Sequence, residues 1–285
     1  MEITNKCNYR CIFCARTKVK TKFGEIDAGF LKRILQEAYD MGLRRVGLYT
    51  IGEMFLCKEL VTHIKNAKQI GYEYIYSDTN GLLATQENLK KVIEAGMHSI
   101  KFSINAGTRE TYKLIHGHDA FDKVIENLKI CYKLKQELNQ KLRILVSYVV
   151  TKQNENEIEQ LKEIVEPYIT DNIMVNAISL VPLQRYNHNA THLIPETMEH
   201  SRMEVPCTMV FNRIHITYNG YLTACCQDFN YDLLLADLKK TSLKDAWYGE
   251  NAMALREAHV KHKLEGILCN NCYQKHFQKY DALKI

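Results

Sequence analysis

The stretch CNYRCIFC at residues 7–14 places Cys7, Cys11 and Cys14 in the spacing C-x3-C-x2-C. A loop with this spacing can wrap one [4Fe–4S] cluster and leave the fourth iron without a protein ligand. A structural zinc site needs a fourth Cys or His nearby, and the nearest histidine is His63. The motif therefore favours an iron–sulfur cluster that binds a small molecule at its open iron, with zinc as the alternative.

The composition excludes several classes of protein. The chain has 285 residues, ten of them cysteine, with no secretory signal and no run of about 18 apolar residues. A disulfide-rich or membrane protein is therefore not expected, and we expect reduced cysteines in the cytoplasm. The net charge of +5 counts every cysteine as neutral, so thiolates and clusters would lower it and nucleic-acid binding gains little support.

Strand and helix patterns alternate over about the first 180 residues. Strands are predicted at 1–4, 45–49, 73–77, 98–104, 142–150 and 173–178, and helices at 26–41, 60–70, 86–95, 109–115, 121–136 and 155–165. Right-handed crossovers between such strands give a parallel sheet rolled into a partial, TIM-like (β/α)6 barrel. The fold class is therefore α/β, with functional loops at the carboxyl ends of the strands.

The cysteine spacing, the aromatic Phe13 before the third cysteine and this order of elements resemble the radical SAM superfamily. The resemblance implies that the reduced cluster cleaves S-adenosylmethionine to methionine and a 5′-deoxyadenosyl radical, which removes a hydrogen atom from an unactivated carbon. The cofactor would supply the radical, while the barrel would orient the substrate and exclude water.

Three turns resemble the cofactor-binding motifs of that family. Residues 50–53, TIGE, are similar to its Gly-Gly-Glu turn, with Ile51 in place of the first glycine; residues 77–81, SDTNG, and 103–107, SINAG, are similar to its Thr-Asn-Gly and Ser-Ile-Asp-Gly patterns. The resemblance implies cofactor contacts from Phe13, Gly52, Glu53, Ser77, Asn80, Ser103, Asn105 and Ser147. An ordinary turn at Gly52-Glu53 and a buried, hydrogen-bonded Ser147 remain alternatives. Because Asn105 stands where an acid is common, hydrogen bonding is expected of it rather than proton transfer.

A second set of cysteines lies near the end of the chain, at Cys207, Cys225, Cys269 and Cys272. Strands predicted at 214–217 and 222–225 join through an Asn-Gly turn, and a helix predicted at 242–259 returns the chain to the last two cysteines. Four such thiolates suit either zinc or a cluster. Beside the first motif, the pattern resembles the auxiliary domain called twitch, a shortened SPASM domain, which implies one further [4Fe–4S] cluster. Cys226 competes with Cys225 as a ligand, and the spacing from Gly220 favours Cys225.

The domain prediction is a radical SAM core at 1–182, a linker at 183–206 and a twitch-like domain at 207–285. The linker carries four candidate substrate contacts, Arg185, Tyr186, His188 and His192, for which a solvated linker is the alternative.

The predicted function is oxidation of a small polyol or sugar-like substrate, with electrons passed to the auxiliary cluster. A small substrate is favoured over a peptide because the chain begins at its first predicted strand. Two alternatives within the family are an epimerase in which Cys226 donates a hydrogen atom, and a peptide-modifying enzyme. A non-catalytic metal-binding module is the alternative outside it. The expected partners are the small substrate and an electron donor such as flavodoxin or ferredoxin, with no nucleic acid and no membrane.

Overall fold

The computed structural model describes residues 1–14, 16, 21–139, 141–171, 173–177, 192–193, 195, 206–272 and 283. Five parallel strands form one sheet in the order β1-β2-β3-β4-β5: β1 Arg45–Gly47, β2 Tyr74–Thr79, β3 Ser99–Ser103, β4 Arg143–Val150 and β5 Met174–Ala177. The connecting helices are α1 Ala28–Asp40, α2 Leu60–Ile70, α3 Gln86–Glu94, α4 Arg109–His116, α5 Phe121–Leu138 and α6 Ile158–Val165. The α/β partial-barrel prediction is confirmed.

The two faces of the sheet differ in chemistry, which positions the site. Ile75, Ile100 and Phe102 are fully buried and point toward the helices, as expected for the outer layer of a β/α barrel. The residues that alternate with them, among them Asp78 and Lys101, are only partly buried and line the concave face. A polar concave face next to an apolar helical face indicates a binding surface rather than a closed barrel core.

The sequence predicts six strands, and the first of them, at residues 1–4, is not part of the sheet. These residues make one isolated antiparallel bridge, between Thr4 and Glu25. The amino group of Met1 donates to the carbonyl of Gly47 on β1 (2.7 Å), but Glu2 N–H donates to the carbonyl of Ile216 (2.8 Å), and the carbonyl of Ile3 accepts from Ile26 N–H (3.0 Å). The strand prediction at 1–4 was therefore wrong, because this segment pairs with residues 24–26 and with the second unit.

The second unit begins after the linker. It contains α7 Met209–Asn212, an antiparallel sheet of β6 His215–Ile216, β7 Tyr221–Thr223 and β8 Leu234–Asp237, then α8 Leu243–Tyr248, α9 Glu250–Val260 and a 3₁₀ turn at Leu268–Cys272. The predicted hairpin is present, with Gly220 at a φ of +90°. The sequence prediction lacked β8, and it joined α8 to α9, which separate at Gly249.

The second unit docks on the first helix of the barrel. Leu243 N–H donates to the carboxylate of Glu37 (2.6 Å), and the guanidinium of Arg33 donates to the carbonyl of Leu238 (2.5 Å). Apolar residues of both units belong to one continuous core. Within the described part of the chain, no helix is long and apolar enough to span a membrane.

Candidate active site

The loop at residues 7–14 is held against α4. Ile12 N–H donates to the carbonyl of Ile115 (2.9 Å), and the hydroxyls of Tyr9 and Tyr112 hydrogen-bond at 2.9 Å. Burial raises the pKa of the Cys11 thiol well above its usual value, and the charges of Cys14 and Cys7 raise it further. The three sulfurs therefore share one small region, where bound iron would offset the repulsion between their thiolates.

Cys11 has a partner that the sequence analysis did not identify. Its Sγ lies 3.0 Å from Nδ1 of His116, whose Nε2 lies 2.7 Å from the carbonyl of Ile104. Burial lowers the pKa of His116 to about 4. His116 stands 102 residues after Cys14 in a separate helix, so only the fold brings it to the loop.

The donor set fits an iron–sulfur cluster. Each thiolate around a cubane binds a different iron, so cluster ligands stand farther apart than the ligands of one zinc ion. Among the residues that the structure describes, no three Cys, His, Asp or Glu side chains converge closely enough to hold a single metal ion. The loop supplies three thiolates, which suits a cubane whose fourth iron binds a small molecule, whereas a structural zinc ion takes four protein ligands.

Glu53 joins the turn after β1 to the end of β2. Its Oε1 accepts from the hydroxyl of Thr79 (2.7 Å) and from Phe55 N–H (3.3 Å), while Oε2 accepts from Asn80 N–H (2.7 Å). Its own N–H donates to the carbonyl of Lys6 (2.7 Å). The side chain is 2% exposed, and burial raises its pKa to about 7. The Glu53 carboxylate therefore links the turn after β1 to the end of β2.

Gly52 lies against the chain that enters the cysteine loop. A Cβ at this position would stand 2.2 Å from the carbonyl oxygen of Thr4 and 2.9 Å from that of Lys6. Gly52 is a predicted cofactor contact, and in the structure its lack of a side chain permits close approach of the backbone directly before Cys7.

Asn80 links the end of β2 to the cysteine loop. Its Nδ2 donates to Oδ1 of Asn8 (2.7 Å) and lies 3.9 Å from Sγ of Cys7. Ser77, in contrast, points to the helical side of the sheet and donates to the carbonyl of Leu48 (2.7 Å). Of these two predicted cofactor contacts, only Asn80 lies beside the loop.

Ser103 and Ser147 are directly paired on β3 and β4, with their hydroxyls 3.3 Å apart. Asn105 is 1% exposed and has a φ of 58°, a conformation that asparagine tolerates better than most residues. Its Oδ1 accepts from Val149 N–H (2.7 Å), and its carbonyl accepts from Nδ2 of Asn154 (2.8 Å). The structure thus gives Asn105 a hydrogen-bonding role within the turn.

Cys225 and Cys226 are adjacent auxiliary cysteines whose thiols interact with each other. The thiol of Cys225 hydrogen-bonds to Cys226, which together with burial and the charge of Cys272 raises the pKa of Cys225. Burial raises the pKa of Tyr49, and the charges of Asp78, Tyr76 and Cys226 add to it. Both cysteines line one small cavity together with Thr50, which follows β1.

The remaining auxiliary cysteines lie on neighbouring segments. Cys269 and Cys272 share the 3₁₀ turn at Leu268–Cys272. Cys207 N–H donates to Nδ1 of the buried His259 (3.3 Å). The fold thus brings thiols from three separated segments, 207, 225 and 269–272, into the second unit.

Of the four predicted substrate contacts in the linker, only His192 lies within the described residues. Arg185, Tyr186 and His188 lie outside the described residues. His192 is exposed and precedes Leu193, which is buried against Phe13 and Val149. Phe13 also makes an edge contact with the ring of His116, with centroids 6.4 Å apart.

Two regions of the chain match models of known protein families. The sequence model described as the radical SAM superfamily matches residues 1–165, more than half of the chain. The model described as an iron–sulfur cluster-binding domain, SPASM, matches residues 207–273. This domain plan implies S-adenosylmethionine and [4Fe–4S] clusters as cofactors.

Curated relatives align with about two thirds of the chain. A protein of Saccharolobus islandicus named "Probable GTP 3′,8-cyclase" is 30% identical over 181 residues, 64% of this chain and 55% of the relative. The "Tungsten-containing aldehyde ferredoxin oxidoreductase cofactor-modifying protein" of Pyrococcus furiosus is 28% identical over 187 residues, 65% and 52% of the two chains. The chain thus spans about half the length of the curated relatives it matches.

Solved structures share the fold over nearly the whole chain. BtrN in complex with AdoMet and 2-DOIA has a TM-score of 0.63 at 17% identity, covering 99% of this chain and 94% of that chain. Native anSMEcpe with bound AdoMet has a TM-score of 0.68 at 13% identity, covering 98% and 91%. SuiB of Streptococcus suis bound to S-adenosylmethionine has a TM-score of 0.67 at 18% identity, covering 88% and 64%.

Proposed function

The chain belongs to the radical SAM superfamily, and from this membership we propose that it oxidises a small polyol or sugar-like substrate. The observation that supports this best is the polar concave face of the barrel, where paired serine hydroxyls and an Asp78–Lys101 ion pair replace the apolar filling of a closed barrel. Such a face offers hydrogen bonds to several hydroxyl groups of one small molecule.

The cysteine loop would hold the radical-generating cluster through Cys7, Cys11 and Cys14. When bound, this cluster supplies the reductive cleavage of S-adenosylmethionine. The protein residues would fix the position of the cofactor. Asn80 lies beside Cys7, and the paired hydroxyls of Ser103 and Ser147 would bind the cofactor. Glu53 and Gly52 would hold the surrounding loops together.

The second unit would hold an auxiliary [4Fe–4S] cluster through Cys207, Cys225, Cys269 and Cys272, which supplies an acceptor for one electron. The spacing from Gly220 supports Cys225 over Cys226. The domain boundaries 1–182, 183–206 and 207–285 remain part of this proposal, as does an electron donor such as flavodoxin or ferredoxin. BtrN, whose structure holds 2-DOIA, supports a small-molecule substrate.

Epimerisation is the second candidate, and one observation favours it. Cys226 lines a small cavity together with Glu2 and Thr50, so a thiol stands between the second unit and the barrel. A thiol in that position could return a hydrogen atom to a substrate radical. Peptide modification is the third candidate, since anSMEcpe also has structures with bound peptides.

The test uses anaerobically reconstituted protein, S-adenosylmethionine, a chemical reductant and four probes: perdeuterated myo-inositol, a perdeuterated aminocyclitol, GTP and a seryl peptide. We expect deuterium from a cyclitol in 5′-deoxyadenosine, together with a ketone two hydrogens lighter than the substrate. Turnover of the peptide or of GTP alone would contradict the proposal. With the unlabelled cyclitols in heavy water, an isomer of the substrate that carries one carbon-bound deuterium, and that Cys226→Ala does not form, would establish the epimerase.

A further inference from the structure

We propose that Asp78, held in place by Lys101, accepts the hydroxyl proton that the substrate loses during oxidation. This inference rests on the proposed function and assigns a proton acceptor to it. Asp78 and Lys101 lie opposite each other on β2 and β3, and Oδ2 of Asp78 is 2.8 Å from Nζ of Lys101.

The pair occupies the layer directly beneath the proposed cofactor contacts. Side chains two residues apart on a strand share a face and are ~7 Å apart. Asp78 therefore stands one layer below Asn80, which lies beside Cys7, and Lys101 stands one layer below Ser103. A substrate in contact with Asp78 would lie within reach of a radical formed at the upper layer.

The pair is accessible from the concave face. The side chains of Asp78 and Lys101 are 22% and 19% exposed, so they are largely desolvated yet can contact a ligand. Two phenols border them: the Tyr49 ring lies 5.7 Å from the ring of Tyr76 and 5.7 Å from Nζ of Lys101. Carboxylate, ammonium and phenol groups together suit a small molecule with several hydroxyl or amino groups.

The stability of the fold does not explain this pair. Taking two charges largely out of water costs several kcal/mol per ion, and apolar residues of similar volume usually stabilise a protein as well or better. Elsewhere in this chain, ion pairs such as Arg143–Asp171 lie at exposed positions. Burial raises the pKa of Asp78, which favours proton uptake. Lys101 opposes that rise, so the carboxylate stays charged until the proton arrives.

Other acids near the cysteine loop are poorly placed for this role. Both oxygens of Glu53 accept hydrogen bonds from the protein. Asn105 replaces the acid of the corresponding turn and is buried within it. Asp78 is also the one carboxylic acid in the sequences of β1 to β5.

The step balances as follows. Removal of the carbinol hydrogen leaves a carbon radical that still carries its hydroxyl group. The O–H bond then breaks, its proton passes to the Asp78 carboxylate, and the C=O bond forms. The remaining electron needs a one-electron acceptor, which an oxidised auxiliary iron–sulfur cluster held by the second unit would supply, while Lys101 remains an ammonium throughout.

The decisive variant is Asp78→Asn, which keeps the size of the side chain and a hydrogen bond to Lys101 but cannot take up the proton. With the perdeuterated cyclitol, we expect deuterium still to enter 5′-deoxyadenosine, while ketone formation falls by at least ~100-fold, the usual loss when a general base is removed. A substrate-centred radical should accumulate in the electron paramagnetic resonance (EPR) spectrum. Asp78→Glu should recover part of the ketone formation, since it restores a carboxylate.

Asp171→Asn is the matched control, because Asp171 is also paired with a basic side chain, that of Arg143, but lies at the rim of the sheet. It should form ketone at the rate of the unmodified protein. Iron content and affinity for S-adenosylmethionine, measured for every variant, separate loss of folding from loss of proton transfer.

Three outcomes are informative. Ketone formation by Asp78→Asn at the unmodified rate would overturn the assignment and leave the proposed function intact. Loss of deuterium transfer together with ketone, with iron and cofactor affinity retained, would also overturn it, because Asp78 would then position the substrate for hydrogen abstraction. If the unmodified protein takes no deuterium from either cyclitol, the proposed function itself fails, and the proton acceptor with it.

Discussion

Gly52→Ala tests whether the turn after β1 supports the cysteine loop through close packing. Gly52 has no positive φ that would require glycine, so the expected effect comes from space alone. The new Cβ would stand 2.2 Å from the carbonyl oxygen of Thr4, whereas ordinary contacts begin at 3.4 Å. The backbone of residues 4–6 would have to move by about 1.2 Å, and a backbone atom cannot turn away as a flexible side chain can.

The magnitude follows from this displacement. Overpacking of a well-packed site costs ~1–3 kcal/mol, and a clash with backbone on two sides places Gly52→Ala near the upper value. For a domain of this size, ~3 kcal/mol corresponds to a Tm lower by roughly 6–12 °C. Because the displaced residues directly precede Cys7, we expect iron in reconstituted protein to fall from about eight to about four atoms per chain.

The assay combines thermal unfolding under anaerobic conditions with iron and sulfide analysis. Gly42→Ala is the matched control: its added Cβ would meet nothing within 4 Å, so only the φ of +97° costs free energy, ~1–2 kcal/mol. It should lower Tm modestly and keep all of its iron. If Gly52→Ala retains about eight irons and its Tm but binds S-adenosylmethionine weakly, the glycine serves the cofactor and the packing explanation is wrong.

Three further predictions concern the clusters and Glu53. Reconstituted protein should carry about eight irons, and a variant with alanine at Cys7, Cys11 and Cys14 about four; stoichiometric zinc in place of the second set would contradict the auxiliary-cluster assignment. Cys225→Ala should abolish ketone formation while 5′-deoxyadenosine is still produced, and unchanged ketone yield would show that the electron leaves by another route. Burial raises the pKa of Glu53 from its ordinary value of 4.5 to about 7, so the folded state binds the extra proton. Its contribution to stability is therefore present below pH 4.5 and is lost as the pH rises to about 7, by up to ~3 kcal/mol. Urea unfolding at pH 5 and pH 8 should show a smaller decrease for Glu53→Gln than for the unmodified protein, and equal decreases would refute the assignment.

The sequence alone determined the features that depend on local spacing. The spacing of Cys7, Cys11 and Cys14 is contained in eight residues. The helix at Ala28–Asp40 follows from apolar residues at helical spacing after the N-cap Asp27. The Asn-Gly hairpin likewise depends on adjacent residues. Local propensity and spacing therefore suffice for the family resemblance, for most helices and for strands β1 to β5.

Only the tertiary structure decided which way the functional side chains point and what they contact. Residues 1–4 have the pattern of a strand, but only Met1 bonds to β1, at Gly47, and the segment otherwise bonds to residues 24–26 and to Ile216. No local pattern reveals this competition between partners. The contact between His116 and Cys11 and the cavity that Cys225 and Cys226 share with Thr50 also require the folded chain. Asp78 meets Lys101 because two parallel strands align in register, and that alignment depends on packing across the whole sheet rather than on the residues next to either one in sequence.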